Sequence, residues 1–409
     1  MGEWNRRSVM VSSAALATGT ALAAAGTSSA NDSPAASVPT EPSGWSSHGG
    51  TIGNCRHVPA TDGFERPDTI AWRYDHSGPA AAVDGAVYLQ TEGELHSLDA
   101  SDGSRRWIAD GIDAAGTPAV VGGVVYVAGE GVTAFDAETG DRHWNVSFDG
   151  AKAVSAPVVA NGTVYTSADG TLRALDAETG DRRWERETVD VAFDGESETG
   201  PGEVAYGFHS SDGTVAVADD TVWALLDEER TEDGADADAV AALDPATGEV
   251  LGATHLSSGR IASGLAATED ALFVETPSEE GVVVLDPGSR EVVDTVSDAF
   301  DSAAVGGTAV THGRHTLSST GADAPWNDRE THAYGKPTIV GDLVVVAHSR
   351  CGRSSPDELV GFDLEDGSER WTFAFDDRHW CDGFPIDAVV EGETIYVDRD
   401  GQLTAVRPS

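Results

Sequence analysis

Lysine is almost missing from this sequence. Of its 25 basic residues only Lys152 and Lys336 are lysines, and the rest are arginines. Against them stand 70 Asp and Glu, which leaves a formal charge of −45. A surface this negative repels phosphate backbones and anionic lipid, which argues against nucleic-acid and membrane-surface binding. Cysteine is scarce too, with Cys55, Cys351 and Cys381 and no two adjacent. The sequence contains no HExxH, no GxxxxGKS/T, no GxSxG and no CxxCH, so the motifs of zinc proteases, P-loop enzymes, α/β-hydrolases and c-type haem attachment are lacking. Apolar residues are not lacking. A hydrophobic fraction of 40% with ten Trp requires a packed core and argues against a disordered acidic chain. At low salt such charge would strain a compact state, whereas at molar salt the screening length falls to about 3 Å. We therefore expect a halophilic protein, working in concentrated brine.

Long apolar runs are missing as well, apart from residues 9–25. That run follows Arg6-Arg7 and leads into the small residues Ala23-Ala24-Ala25 and Ser28-Ser29-Ala30. The order of paired arginines, apolar stretch and small residues predicts a twin-arginine export signal over residues 1–30. No cysteine follows it to take a lipid. Residues 31–60, rich in Ser, Pro and Gly, are expected to be a flexible lead, and residues 61–409 the folded domain. The expected location is extracellular or cell-surface associated, with no membrane span after cleavage and a monomeric chain.

What is abundant is repetition. GELHSLDASDGSRRW (93–107), GVTAFDAETGDRHW (131–144) and GTLRALDAETGDRRW (170–184) share one rule: an apolar run, Asp, Gly four residues later and Trp eight residues later. The sets are Asp99, Gly103 and Trp107; Asp136, Gly140 and Trp144; Asp176, Gly180 and Trp184; and Asp363, Gly367 and Trp371. Partial copies occupy 240–250 and 282–292. The Asp side chain can accept from backbone N–H groups two or three residues on, and Gly supplies the positive φ of a hairpin turn. Each copy is preceded by a second tight turn, as at Asp84-Gly85, Asn161-Gly162 and Glu391-Gly392. Two hairpins make four strands, and recurring four-stranded units predict an all-β propeller. We expect eight antiparallel blades. The sixth unit, 315–326, has lost its Asp, and the ring has seven blades if that unit does not pair.

The ends predict how the ring closes. Residues 68–74 form a Trp-bearing outer strand with no partner before it, and the last unit stops before its own Trp strand. The N-terminal strand is expected to complete the C-terminal blade, which removes an open sheet edge. The AlDaeTGdrrW pattern resembles the pyrroloquinoline-quinone (PQQ) type repeat over about residues 61–409. That repeat occurs in quinoprotein dehydrogenases and in the outer-membrane assembly propeller lipoprotein. With its signal and acidity, the chain resembles the exported propellers of halophilic archaea.

The resemblance implies a fold more than an activity. Many quinoproteins carry adjacent cysteines and a calcium ion beside the cofactor. None of those residues transfers to this chain, so no catalytic residue, metal or cofactor is expected, with PQQ and calcium as the alternatives. Long insertions fall between strands B and C or between D and the next A, counted outward from the axis, and so emerge on one face. Three of them are aromatic, and we expect Trp326, His332, Tyr334, Phe375, His379, Trp380 and Phe384 to ring that mouth as a partner or ligand surface. Cys351 and Cys381 lie in neighbouring loops there and are expected to pair. The leading expectation is an exported, non-catalytic binding or assembly scaffold whose partner is a protein or an envelope component. The alternatives are a PQQ- or metal-dependent oxidoreductase with a channel site, and a carbohydrate or small-ligand binder.

Overall fold

The computed structural model describes residues 44–59, 64–193, 202–227, 238–256, 262–276, 281–313, 315–321, 325–329, 333–349, 357–375, 387–399 and 401–409. No helix is present among them. The strands form eight sheets, each built on four antiparallel strands in simple meander order, with further strands added to three of them, which is an eight-bladed propeller. Blades 1 to 8 span 80–109, 115–147, 158–186, 215–255, 264–296, 301–329, 338–374 and 388–407. The degenerate sixth unit does pair: its third strand, Thr316–Thr320, sits between Thr308–His312 and Asn327–Arg329.

The closing strand is where the sequence places it. Thr69–Tyr74 pairs antiparallel with Gln402–Arg407 and becomes the outer strand of blade 8. The repeated residues explain how one blade meets the next. The Asp176 side chain accepts from the backbone N–H groups of Glu178 and Thr179 at 3.0 Å each, and Gly180 follows at φ 77°. That glycine lies under the indole of the preceding blade. Gly103, Gly140, Gly180, Gly248 and Gly367 each face Trp72, Trp107, Trp144, Trp184 and Trp326 respectively, and a Cβ on any of them would come within 2.5–2.9 Å of the ring. Each indole N–H also donates across the seam, to the carbonyls of Ala100, Ala137, Ala177, Pro245 and Leu364, at 2.9–3.1 Å. Turn glycine and tryptophan are thus one device spread over two blades, a latch of apolar area plus one hydrogen bond.

One expectation needs correction. Residues 44–58 do not belong to a flexible lead; they run around the inside of the ring. Gly44–Trp45 adds to the inner strand of blade 1 and His57–Val58 adds in parallel to that of blade 7. Between them the carbonyls of Ser46, Ile52, Gly53, Cys55 and Arg56 accept from Val120, Val217, Ala267, Ala304 and Ile339, on blades 2, 4, 5, 6 and 7, at 2.7–2.8 Å. The inner edge of each blade offers unpaired N–H groups that must find partners. This segment supplies them to blades 2, 4, 5, 6 and 7. Gly49 and Gly50, at φ 65° and 77°, allow the turn it makes.

Candidate functional site at the axial cavity

The lining segment leaves a two-lobed cavity on the axis, about 240 Å³ and about 230 Å³, with His48, Gly49, Arg56, Asp212 and Lys336 shared by both lobes. Strand direction fixes which end of the ring it occupies. Gly264 and Asp301 begin inner strands, Asp212, Lys336 and Asp387 precede inner strands, and Glu275 and Asp398 sit one residue from the end of second strands. Inner strands begin and second strands end on the face that carries the insertions, so the cavity opens among the insertions rather than among the tight turns.

Its walls are charged. The Lys336 ammonium lies 2.7 Å from Asp301 Oδ1, and His312 Nε2 lies 2.9 Å from Asp301 Oδ2. Glu275 Oε1 accepts from the backbone N–H of Ser302 at 2.8 Å and from its hydroxyl at 3.2 Å. Burial, reinforced by the Asp301 charge, pushes the Glu275 carboxyl up to about 7. Burial works in the same direction on Asp301, but the hydrogen bond from His312 and the charge of Lys336 outweigh it and hold that carboxyl well below its usual range. The two neighbouring acids are therefore split, one ionised and one able to exchange a proton near neutrality. Burial also opposes the Lys336 charge, yet Asp301, Asp387 and Glu275 prevail and raise its pKa. Arg56 comes from the lining segment: it donates to Pro337 O at 2.8 Å, pairs with Asp387 at 3.2 Å and stacks 5.0 Å over Trp45. His48, buried beside Asp212, is held below the ordinary histidine pKa by that burial. Asp398, also desolvated, is pushed up to about 6.

None of these residues stood out by motif. One signal was available: Lys336 is one of two lysines in a chain whose other cations are arginines. The aromatic mouth expected from the sequence is only partly described, and that part is packing. Trp326 is the latch of blade 6, Tyr334 is 3% exposed with its hydroxyl 2.9 Å from Asp328, and Phe375 is 2% exposed beneath Arg399. Large rings on this face gain more by covering blade edges than by meeting water. His332, His379, Trp380 and Phe384, and the Cys351–Cys381 pairing, lie outside the described residues. Cys55 is a buried free thiol, pushed up to about 11 by that burial. The insertions themselves are where the sequence puts them: the long connections from Asp227 to Ala239 and from Ser349 to Glu358 join second to third strands, and those from Arg329 to Thr338 and from Ala374 to Ala388 join one blade to the next.

The family profile described as outer membrane protein assembly factor BamB matches residues 63–149 and 92–373. The chain belongs to this PQQ-repeat propeller family. Among solved structures it is similar to quinohemoprotein alcohol dehydrogenase ADHIIG from Pseudomonas putida HK5, at 15% identity and TM-score 0.63, covering 90% of this chain and 80% of that one. It is similar to the quinohemoprotein alcohol dehydrogenase of Comamonas testosteroni at 14% identity and TM-score 0.58, covering 89% and 80%. A europium-containing methanol dehydrogenase matches at 13% identity and TM-score 0.57, covering 88% and 90%. At these identities the likeness is one of fold. No curated protein matches the sequence.

The family resemblance implies a quinone, and the axial residues fit it poorly. PQQ is a flat tricarboxylate and needs surplus positive charge with open ring faces. Here Arg56 and Lys336 are already paired with Asp387 and Asp301, while Asp212, Glu275 and Asp398 add further acid to the walls. The face of Trp45 is taken by Arg56. Bringing a trianion into such a site costs desolvation without compensating pairs.

Proposed function

We propose that this chain is an exported, non-catalytic propeller that serves as a binding or assembly scaffold at the cell surface, and that its partner meets the insertion-bearing face. The observation that carries this reading is the course of residues 44–58. They occupy the inside of the ring and hydrogen-bond to the inner strands of six blades, 1, 2, 4, 5, 6 and 7. An axis lined by its own chain suits a rigid platform better than a cofactor channel, and it leaves the loop face as the variable surface.

A second reading, an oxidoreductase acting at the axis, is favoured by Glu275, Asp301, Lys336 and His312, which place a proton-exchanging acid beside a buried cation. One experiment separates the two. The mature protein in molar KCl is titrated with PQQ and calcium while tryptophan fluorescence and dye-linked alcohol oxidation are followed. The scaffold reading expects neither a saturable change nor turnover. Saturable binding with turnover overturns it.

A further inference from the structure

Away from the axis, in blade 4, one group of three side chains among the described residues brings metal-ligating atoms together: His209, Asp227 and Asp238, all within 4.8 Å of one another. We propose that they form a divalent transition-metal site that ties two strand ends of blade 4 to the residues leading into blade 5. Each residue is positioned by the fold. His209 follows Gly202–Phe208; its backbone N–H donates to Leu225 O at 3.1 Å, and its carbonyl accepts from the hydroxyls of Ser167 and Thr214. Asp227 ends the strand Thr221–Asp227, and Asp238 immediately precedes Ala239–Leu243, so the two acids bracket the insertion.

Two further observations point to a ligand. The His209 Nε2 atom is buried and makes no hydrogen bond, although it lies 3.3 Å from Asp238 Oδ2. Two atoms that approach without sharing a proton are arranged as two ligands of one ion would be. The Asp238 side chain is 5% exposed, and no Lys or Arg among the described residues pairs with it. Its Oδ2 accepts from the backbone N–H of Ala262, in the linker to blade 5. A buried carboxylate facing an imidazole needs more positive charge than one N–H provides, and a bound cation supplies it. Asp227, exposed at the strand end, gives the route in. One imidazole with two carboxylates favours Zn²⁺, Co²⁺ or Mn²⁺ over Mg²⁺ and Ca²⁺, which prefer oxygen alone.

The site is tested on the whole mature chain in molar KCl, which screens nonspecific binding to the acidic surface. Protein stripped with EDTA is titrated with Co²⁺ and with Zn²⁺. We expect one equivalent per chain, a visible Co²⁺ absorption band, and a Zn²⁺-dependent rise in Tm of about 2 °C, with no rise from Mg²⁺ at the same concentration. His209→Gln and Asp238→Asn should abolish the band. Asp227→Asn, at an exposed position that leaves the fold intact, should weaken binding at least tenfold, while Asp110→Asn elsewhere on the surface should not. A band of unchanged intensity in His209→Gln, a stoichiometry that varies with salt, or full-affinity binding by Asp227→Asn overturns the proposal.

Discussion

Seven of the eight seams between blades fall into two kinds, and at the eighth, between blades 7 and 8, Trp371 is buried without a hydrogen bond from its indole N–H. Five of them carry the tryptophan latch, those joining blades 8–1, 1–2, 2–3, 3–4 and 6–7. In the arc from blade 4 to blade 6 the latch is absent. Where blade 4 should present Trp it has Gly252, and where the turn of blade 5 should present Gly it has Arg290, at φ 62°. The guanidinium fills the space over Gly252, so the large and small partners have exchanged sides. At the next seam Asp294 stands in the tryptophan position, and the apolar contact between the blades is joined by a polar one: Glu275 of blade 5 takes the N–H and hydroxyl of Ser302 in blade 6. Both unlatched seams still bury apolar side chains between their strands, so what they have given up is the indole and its hydrogen bond. Charge at the cavity wall is not confined to them, since the latched seam between blades 6 and 7 carries the Lys336–Asp301 pair.

The largest effect should come from the seam that closes the ring. Trp72 lies on Thr69–Tyr74, the strand that completes blade 8, and it latches blade 1 as Trp107, Trp144, Trp184 and Trp326 latch their neighbours. Removing residues 64–75 exposes the edge of Gln402–Arg407 and opens that seam. Cooperative thermal unfolding should be lost, whereas Trp72→Ala alone should keep a single transition at lower Tm. A deletion variant with the native Tm would refute closure by this strand.

Next in size is a single latch. Trp184 is 8% exposed and packs on Gly248 with its N–H on Pro245 O. Trp184→Ala should cost about 3 kcal/mol in chemical denaturation, within the range for a buried aromatic cut to alanine. Smaller again is the exchanged seam. Gly252→Trp alone should destabilise, because the ring meets Arg290, and Arg290→Gly alone should leave a void. Together they rebuild the latch, with Pro287 O as acceptor, and the coupling should be favourable by about 1–2 kcal/mol in a double-mutant cycle. Additivity would mean that the seam is not the same device inverted.

The blades, the closing strand and the face carrying the insertions were all legible, because each is written in short-range spacing: Asp, Gly and Trp at fixed offsets, and two-residue turns between apolar runs. The lining segment was not. Residues 44–58 have the composition of a tether, and their order comes from the unpaired inner strands they meet, which no local pattern encodes. The axial residues were hidden for a related reason. Glu275, Asp301 and Lys336 come from three different blades at the ends of otherwise ordinary strands, and only ring closure brings them together. Trp326 and Tyr334 misled because an aromatic residue in an insertion reads the same whether it faces outward or covers a blade.

Proton linkage gives the finest measure of the difference between the two kinds of seam. Glu275 has a folded-state pKa raised to about 7 from 4.5, so the folded protein holds this proton more tightly than the unfolded chain does. The stability it confers is full below about pH 4.5 and is lost as pH rises through 7, the opposite of a carboxylate lowered by a partner, as Asp301 is. Glu275→Gln keeps an acceptor for Ser302 and removes the titration. Its Tm should match that of the native protein near pH 4 and exceed it by several degrees at pH 8, as expected if about 3 kcal/mol of ionisation cost is relieved. Asp398, raised in the same direction, is common to both proteins and cancels in the difference. The same substitution paired with Trp184→Ala should be additive at both pH values, since the two residues lie at different seams and share no partner. A pH-independent gap between Glu275→Gln and the native protein would show that Glu275 is ionised throughout and that the seam is a plain charged contact.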